Sequence, residues 1–518
     1  MQASVAVSII VFFLTWLIRV APRIGMPDYG ADAFFHMKAA DVLRVHHDRH
    51  RLADWFAVGS FNDYPPLFHW LLSVFPKGFI EKANGFIAPV FDALNAVLLN
   101  MFCYMLTGVW WVGPLAWIFY IASPQISIEA LSLTPRLLSL FFFNLWFVAM
   151  LAGGTGASAV WTSVSIGAGV ACFYTGRSQL PLMLAGGVVL TIVSGESVYM
   201  IMEAGMLLVA FLLGSDQFIR TFKSYAIMTG DTSRRWRDYG DERDRLARAV
   251  GGGGEQSAAE MLKRELKMLF AYNPGAWIAL VAGAWLSGFE DDFLAWEVRR
   301  LMWAWFLTAF VAFIATQRFP QLGQRAGEGY RQFPEFGAVP GSIIIAVAVA
   351  ESYRLSPPLF AFLVVAGAAS LFMILWIVSP RYRAKLKASG TYINPGLKSI
   401  LERSRDLPGG NIMCLPTIFN YPMIYYGDRK VVDVVERSVP YRDIAEKYVF
   451  GPKLTLAEYA AEFDLDYFLI DTSNPDWSLD YSGAGKVIDS EGPLVIVEVD
   501  AGIKNAGRGY ETDSGQES

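Results

Sequence analysis

The sequence is poor in charged residues and in cysteine. Only 18% of its 518 residues are charged, whereas ordinary soluble domains carry about 25%. The three cysteines, Cys103, Cys172 and Cys414, lie far apart in the chain, so neither a disulfide framework nor a zinc site is predicted. The formal net charge is −5, and without a basic excess we expect no nucleic-acid partner.

Long apolar runs account for this low charge content. Hydrophobic residues make up 54% of the chain, and the mean hydropathy is +0.35. The first run has no Lys or Arg before Arg19 and no small-residue cleavage site, so we interpret it as a retained span. The sequence predicts a polytopic α-helical membrane protein with about eleven spans, near residues 3–21, 87–107, 109–126, 136–152, 158–174, 180–194, 197–213, 273–289, 297–316, 340–354 and 358–379.

The chain changes character after Ser379. Helix-like stretches at 395–405 and 455–463 alternate with short apolar strands, which is typical of a small α/β domain. Thr455 and Glu458 have the spacing of a capping box. We therefore predict a transmembrane domain at 1–380 with a first external loop at 22–86, a soluble C-terminal α/β domain at 381–500 and a disordered tail at 501–518. The strands are predicted at 412–415, 431–435, 467–471 and 495–499.

The first loop holds all five histidines of the protein and a cluster of aspartates. Asp32 and His36 are four residues apart and share one face if the segment is helical. Two interpretations remain open. The segment is either an interfacial helix with a solvated polar face, or it places Asp32 at the membrane surface as a general base or as a carboxylate that orients an acceptor hydroxyl. In both, the side predicted to face the membrane carries Phe34, Phe35, Met37 and Val42.

A second histidine cluster, HHDRH, follows in the same loop. His46 and His50 have the i,i+4 spacing of two metal ligands on one helix face. Arg44, Arg49 and Arg51 crowd the same turns and would repel a cation. The alternative to a metal site is a solvated basic helix end.

Several arginines lie at the ends of predicted spans. An arginine in this position either reaches to lipid headgroups or clamps a phosphate through its two-pronged guanidinium. We name as candidates for donor phosphate binding Arg136, Arg177, Arg318, Arg325 and Arg331.

The order of motifs in the first loop resembles that of the GT-C superfamily of membrane glycosyltransferases. The stretch GADAFFHMKAADVL places an acidic residue in an aromatic helix after the first span, and YPPL follows some thirty residues later. This layout is similar to the protein O-mannosyltransferase and aminoarabinose-transferase branch, and more distantly to the oligosaccharyltransferase catalytic subunit. The paired DxD element of the oligosaccharyltransferase is missing from this loop.

The resemblance implies roles for particular residues. The first-loop acid of the family maps onto Asp32, with His36 in support. A second acidic element, after the third span, maps onto Glu129 in SPQISIEALSLTPR, where the alternative is an ordinary surface acid. The family also implies a polyprenyl-phosphate sugar donor. It leaves the involvement of a divalent metal open, and no other cofactor is predicted.

The sequence therefore predicts a glycosyltransferase that moves a hexosyl or pentosyl group from a polyprenyl-phosphate donor to a glycan, protein or lipid acceptor. It would be a multi-pass protein of the plasma membrane, with its active site facing outside. A transporter or flippase of lipid-linked sugars, without catalysis, is the alternative. Span parity and the distribution of Lys and Arg leave the side of the loop 214–272 open.

Overall fold

The computed structural model describes residues 2–57, 64–154, 158–176, 179–222, 278–279, 281–282, 303, 338–350, 356–388, 392–432, 455–473, 481 and 483–503. The chain divides into two compact units. Unit 1 comprises Met1–Ile24, Tyr64–Phe68 and Gly85–Ala384, and unit 2 comprises Gly25–Asp63, His69–Asn84 and Lys385–Ser518. The domain boundaries drawn from the sequence stay a prediction.

Unit 1 is built from apolar helices. Helix α1 spans Gln2–Val20. The next helices in the chain are α2 (Ala31–His46), which belongs to unit 2, and α3 (Leu67–Ser73) and α4 (Lys77–Thr107), each of which has residues in both units. The further helices of unit 1 are α5 (Val112–Ile121), α6 (Pro124–Glu129), α7 (Arg136–Gly154), α8 (Ala159–Phe173), α9 (Leu180–Ser194), α10 (Val198–Leu213), α11 (Ser215–Phe222), α12 (Ala338–Ala350) and α13 (Pro357–Ile377).

Within the described ranges, four helices are long and apolar enough to cross a membrane: Gln2–Arg23, Lys77–Thr107, Arg136–Gly153 and Pro357–Ile377. A fifth span results if α10 and α11, which form a pair bent by 117°, count as one. The prediction of a mostly helical chain with several apolar helices and a C-terminal sheet is confirmed. The count of about eleven stays a prediction, and the predicted spans 273–289 and 297–316 lie almost wholly outside the described residues.

A polar network is enclosed among the helices of unit 1. Arg19 and Asp92 form an ion pair of 2.6 Å, and both side chains are fully buried. Tyr120 donates a hydrogen bond of 2.5 Å to the other oxygen of Asp92, while Arg19 also donates to the Ile121 carbonyl and to Ser127. Because a lone charge in an apolar interior is costly, each of these groups depends on the others.

Unit 2 contains a five-stranded mixed sheet. Its strands are β1 (Asn411–Leu415), β2 (Lys430–Val431), β3 (Leu465–Asp471), β4 (Gly485–Glu491) and β5 (Leu494–Val499). Their order is β2-β1-β3-β5-β4. β1 pairs in parallel with β2 and β3, and β5 pairs in antiparallel with β3 and β4. The predicted strands 412–415, 467–471 and 495–499 are confirmed, and β4 was not predicted. Of the predicted strand 431–435, Val431 lies in β2, while residues 433–435 lie outside the described residues.

The helices of the C-terminal segment include α14 (Pro380–Ala388), α15 (Pro395–Arg403) and α16 (Leu456–Glu462). Two of them, α15 and α16, have clear sequence signals. The Asn394 side chain caps α15 by accepting from the Leu397 amide, and Pro395 fits the first turn because that position needs no amide donor. The predicted capping box of Thr455 and Glu458 is present in α16. Leu456 and Ala460 then pack on the sheet with Phe468 and Val497.

The prediction that the apolar side of helix α2 faces the membrane is wrong. Phe34 is fully buried, and its ring centroid lies 5.9 Å from that of Tyr425 and 5.2 Å from that of Tyr426. Phe35 packs on Tyr421 at 5.2 Å. The helix buries this face inside unit 2 because the C-terminal segment supplies an aromatic surface for it. Met37 and Val42 are buried as well.

Candidate functional site

Helix α2 exposes one carboxylate while it buries most of its length. Gly30, at φ 89°, precedes the helix, in a conformation that glycine adopts readily. Asp32 lies in the first turn and is exposed, while the residues from Ala33 to Ala40 are all buried. No other described side chain forms a hydrogen bond or ion pair with Asp32. The carboxylate is therefore accessible to a ligand.

His36 lies one turn after Asp32 but points into the core of unit 2. It is buried, and its Nδ1 lies 2.9 Å from Nε2 of His69, which is also buried. The two rings stack with centroids 5.1 Å apart. A hydrogen bond between two imidazoles fixes the tautomer of each, so this pair holds α2 against the segment that contains α3.

A buried lysine anchors the next turn of α2. Lys38 donates a hydrogen bond of 2.5 Å to Asp428 and lies 4.1 Å from the ring centroid of Trp55. Trp55 donates to the same carboxylate oxygen at 2.7 Å. Burial lowers the pKa of Lys38, although the hydrogen bond that Lys38 donates to Asp428 opposes this shift. Asp428 itself has a left-handed backbone conformation, with φ 51°.

Glu129, the second predicted acid, belongs to unit 1. It is buried at the end of α6 and accepts hydrogen bonds from Gln125 and Arg136, each at 2.8 Å. Arg136 begins α7, and its side chain is 37% exposed. The two residues that sequence analysis named separately, Glu129 and Arg136, are therefore ion-paired. Their roles in the reaction stay predictions.

The remaining candidates for donor phosphate binding cannot be located. Arg177, Arg318, Arg325 and Arg331 all lie outside the described residues. Their assignment is unchanged by the structure and stays a prediction.

The described residues contain no evident metal site. Among them, no three His, Cys, Asp or Glu side chains are arranged to hold a metal ion. The expectation that His46 and His50 share a helix face is wrong. α2 ends at His46 because His47 adopts a left-handed conformation at φ 54°, and His50 lies in a separate 3-10 helix, Arg49–Trp55.

Sequence analysis missed the anchors of α2. Lys38, Trp55 and Asp428 are ordinary charged and aromatic residues in the sequence, and Lys38 is separated from Asp428 by 390 residues. The only local signal was the Gly-Asp pair in YYGDRK, which is typical of a turn with a left-handed residue.

Comparisons with known proteins agree with this architecture. No protein-family profile matches the sequence, and no curated protein sequence matches it. Among solved structures, the oligosaccharyltransferase of Archaeoglobus fulgidus, in complex with Zn and sulfate, is similar at a TM-score of 0.56 and 12% identity, over 89% of this chain and 68% of that one. ArnT from Cupriavidus metallidurans, bound to undecaprenyl phosphate, is similar at a TM-score of 0.55 and 13% identity, over 96% and 98%.

The chain has a GT-C-like fold. This is the fold that the order of motifs in the first loop led us to expect. At these identities the likeness concerns the fold and does not transfer an activity.

Proposed function

We propose that the protein is a membrane glycosyltransferase that moves a sugar from a polyprenyl-phosphate donor to an acceptor at the outer face of the plasma membrane. The observation that carries the proposal is Asp32, an exposed carboxylate without a partner among the described residues, in the first turn of an otherwise mostly buried helix. It follows the first apolar helix of a chain with a GT-C-like fold.

The compared structures support a lipid-linked donor. The ArnT structure holds undecaprenyl phosphate, and the other compared protein is an oligosaccharyltransferase. A donor with a long apolar tail and a charged headgroup suits a chain with several membrane-length apolar helices, because the tail can stay in lipid while the phosphate stays in water.

In the proposed reaction, Asp32 acts as the general base. Its carboxylate takes the proton from the nucleophilic group of the acceptor, which attacks the anomeric carbon of the sugar. The bond between that carbon and the phosphate oxygen breaks, and the polyprenyl phosphate leaves with the electron pair. Attack from the side opposite the phosphate inverts the anomeric centre.

Supporting roles follow from the sequence. We propose that Glu129 and His36 are supporting groups of the reaction and that positive side chains stabilise the leaving phosphate, as charge-assisted hydrogen bonds do at phosphoryl groups. The candidates for this phosphate clamp are Arg136, Arg177, Arg318, Arg325 and Arg331. Arg136 would have to share its guanidinium between the phosphate and Glu129, with which it is paired at 2.8 Å.

The test is turnover by purified protein in detergent. Radiolabelled hexosyl and pentosyl undecaprenyl phosphates are offered with a mixture of acceptors, and release of label from the lipid is measured. We expect Asp32→Asn to lower turnover about 10²–10⁴-fold, the usual contribution of a general base, with an unchanged melting temperature. The matched control is Asp54→Asn, which changes another exposed acid of unit 2 and should behave as the wild type.

Two results would contradict the proposal. If Asp32→Asn transfers sugar as fast as Asp54→Asn, Asp32 is not the base. If the wild type releases label from none of the donors, the result contradicts the proposed transfer and favours the transporter alternative, because a pure transporter moves a lipid-linked sugar without breaking its bond to phosphate.

A further inference from the structure

Unit 2 contains a polar cavity of about 650 Å³ that the proposed reaction does not use. Neither Asp32 nor His36 lines it. Its walls come from the start of α4, from α15 and from the segments around Asp28 and Tyr426, all within unit 2. Cavities of this size are typical of small-molecule sites.

Two buried tyrosines organise the floor of the cavity. Tyr426 donates to Asp28 and Tyr425 donates to Glu81, each at 2.8 Å. Burial raises the pKa of both phenols well above their usual value, and the neighbouring carboxylates raise it further. The phenols therefore keep their protons and hold Asp28 and Glu81 in fixed positions, so these acceptors are oriented before any ligand arrives.

Cations are placed beside the same aromatic rings. Lys398 lies 4.7 Å from the ring centroid of Tyr426 and pairs with Asp28 at 3.2 Å. Lys77 lies 5.0 Å from the ring centroid of Tyr425. Two helices thus each present a Lys-x-x-x-Glu pair to the cavity: Lys77 and Glu81 on α4, and Lys398 and Glu402 on α15.

Donors and acceptors remain available at the rim. Lys82 and Glu402 are exposed and make no hydrogen bond or ion pair with the described residues. The described contact of Arg405 is one hydrogen bond of 2.8 Å to the carbonyl of Tyr426. The lining carries four cations, Lys77, Lys82, Lys398 and Arg405, and three acids, Asp28, Glu81 and Glu402. Of the cations, Lys77 also pairs with Asp41 at 3.6 Å and Lys398 with Asp28, so Lys82 and Arg405 are the cations most available to a ligand.

This mixture selects a class of ligand. Sugar hydroxyl groups both donate and accept hydrogen bonds, so they match a wall on which carboxylates and cations alternate. Lys82 and Arg405 at the rim match one anionic substituent. A purely apolar ligand would leave these groups without partners, and a cationic substituent would be repelled by Lys82 and Arg405.

We propose that this cavity is a binding site for an anionic saccharide, a sugar that carries one carboxylate or phosphate group. The site goes beyond the proposed glycosyl transfer and stands whether or not the protein has that activity. Asp32→Asn should therefore leave this binding unchanged, and loss of transfer and loss of saccharide binding can be told apart.

The experiment is calorimetric titration of the full chain in detergent with four probes: glucuronic acid, glucose 6-phosphate, glucose and inorganic phosphate. We expect at least one of the two anionic sugars to bind about tenfold more tightly than glucose, as for one added charge-assisted hydrogen bond, and more tightly than phosphate alone. The preferred anionic sugar identifies whether the substituent is a carboxylate or a phosphate.

Substitutions of the rim residues test whether the anionic sugar binds in this cavity. Lys82→Gln and Arg405→Gln should each weaken the preferred anionic sugar about tenfold and leave the affinity for glucose unchanged. The matched control is Lys486→Gln, an exposed lysine on β4 of the same unit, which should change neither affinity. Three results would overturn the proposal: no binding of any sugar, equal affinities for glucose and both anionic sugars, or rim variants that bind like Lys486→Gln.

Discussion

Two aspartates on helices, one in each unit, have opposite surroundings. Asp92 of α4 is fully buried and accepts hydrogen bonds from Arg19 at 2.6 Å and from Tyr120 at 2.5 Å. Asp32 of α2 is exposed and has no such partner among the described residues. A saturated buried carboxylate stabilises the fold and has little capacity left for a substrate, whereas an exposed one contributes little to stability and can take a proton. The contrast predicts that stability and activity depend on different acids.

The largest loss of stability is expected when Asp92 is replaced. We expect Asp92→Leu to destabilise the protein by about 3–5 kcal/mol, because it leaves the Arg19 charge buried without its partner. Thermal unfolding in detergent measures the loss. Asp32→Asn is the reference, since it should lower turnover without lowering the melting temperature.

A double variant shows whether Asp92→Leu loses stability because it leaves the buried Arg19 charge without a partner. Arg19→Met combined with Asp92→Leu should recover part of the stability that Asp92→Leu loses, because apolar side chains of similar volume often replace a buried ion pair at small cost. A double variant less stable than the single one would mean that Arg19 is needed mainly for its bonds to Ile121 and Ser127.

The Lys38–Asp428 pair lies between these extremes, with side-chain exposures of 9% and 49%. Burial would raise the pKa of Asp428, but the hydrogen bond and charge of Lys38 outweigh it and keep the pKa below the usual 3.8. The pair therefore stabilises the fold above that pH, and the contribution is lost as the pH falls through the lower folded pKa. With half of Asp428 in solvent, we expect about 1 kcal/mol or less.

The variant Asp428→Asn tests this pH dependence of stability. Asparagine is the suitable replacement because it tolerates the left-handed backbone. The wild type should melt at a higher temperature than the variant near neutral pH. The difference should shrink as the pH falls below 3.8 and the wild-type carboxylate takes up a proton at its lowered pKa. A gap that widens on acidification would contradict the assignment.

The smallest effect is expected at Asp216, whose side chain is 76% exposed and pairs with Arg220 one turn along α11. Exposed pairs of this spacing contribute roughly 0.3–0.5 kcal/mol. Asp216→Asn should therefore leave the melting temperature nearly unchanged, and adding salt should remove what difference remains. A loss as large as that of Asp92→Leu would mean that burial does not separate the two kinds of acid.

The sequence predicted elements whose signals are local. The strands β1, β3 and β5 are short apolar runs, and the cap of α16 needs only Thr455 and Glu458 three residues apart. Strand β4 was missed because GKVIDSE is largely exposed and carries little hydrophobic signal. The strand is defined by its pairing with β5, which a window of a few residues does not contain.

The surroundings of the candidate site depend on contacts between distant segments. The sequence singled out Asp32, and the structure leaves it exposed, but the apolar face of α2 was predicted to face lipid. Phe34 instead packs on Tyr425 and Tyr426, and Lys38 pairs with Asp428. An apolar helix face fits either a membrane or an aromatic surface, and periodicity alone does not distinguish them. The cavity of unit 2 was not predicted for the same reason.

The long separation between Lys38 and Asp428 has a consequence for synthesis of the chain. The partner residue is made 390 residues later, which takes about 20–80 s at 5–20 residues per second. During that time α2 has emerged but lacks the surface that covers Phe34 and Phe35. The nascent first loop therefore exposes aromatic side chains until the last quarter of the chain is made, and it is then open to chaperones and proteases. If synthesis stopped before the Tyr425–Tyr426 segment, the apolar face of α2, the helix that carries the candidate catalytic Asp32, would remain exposed.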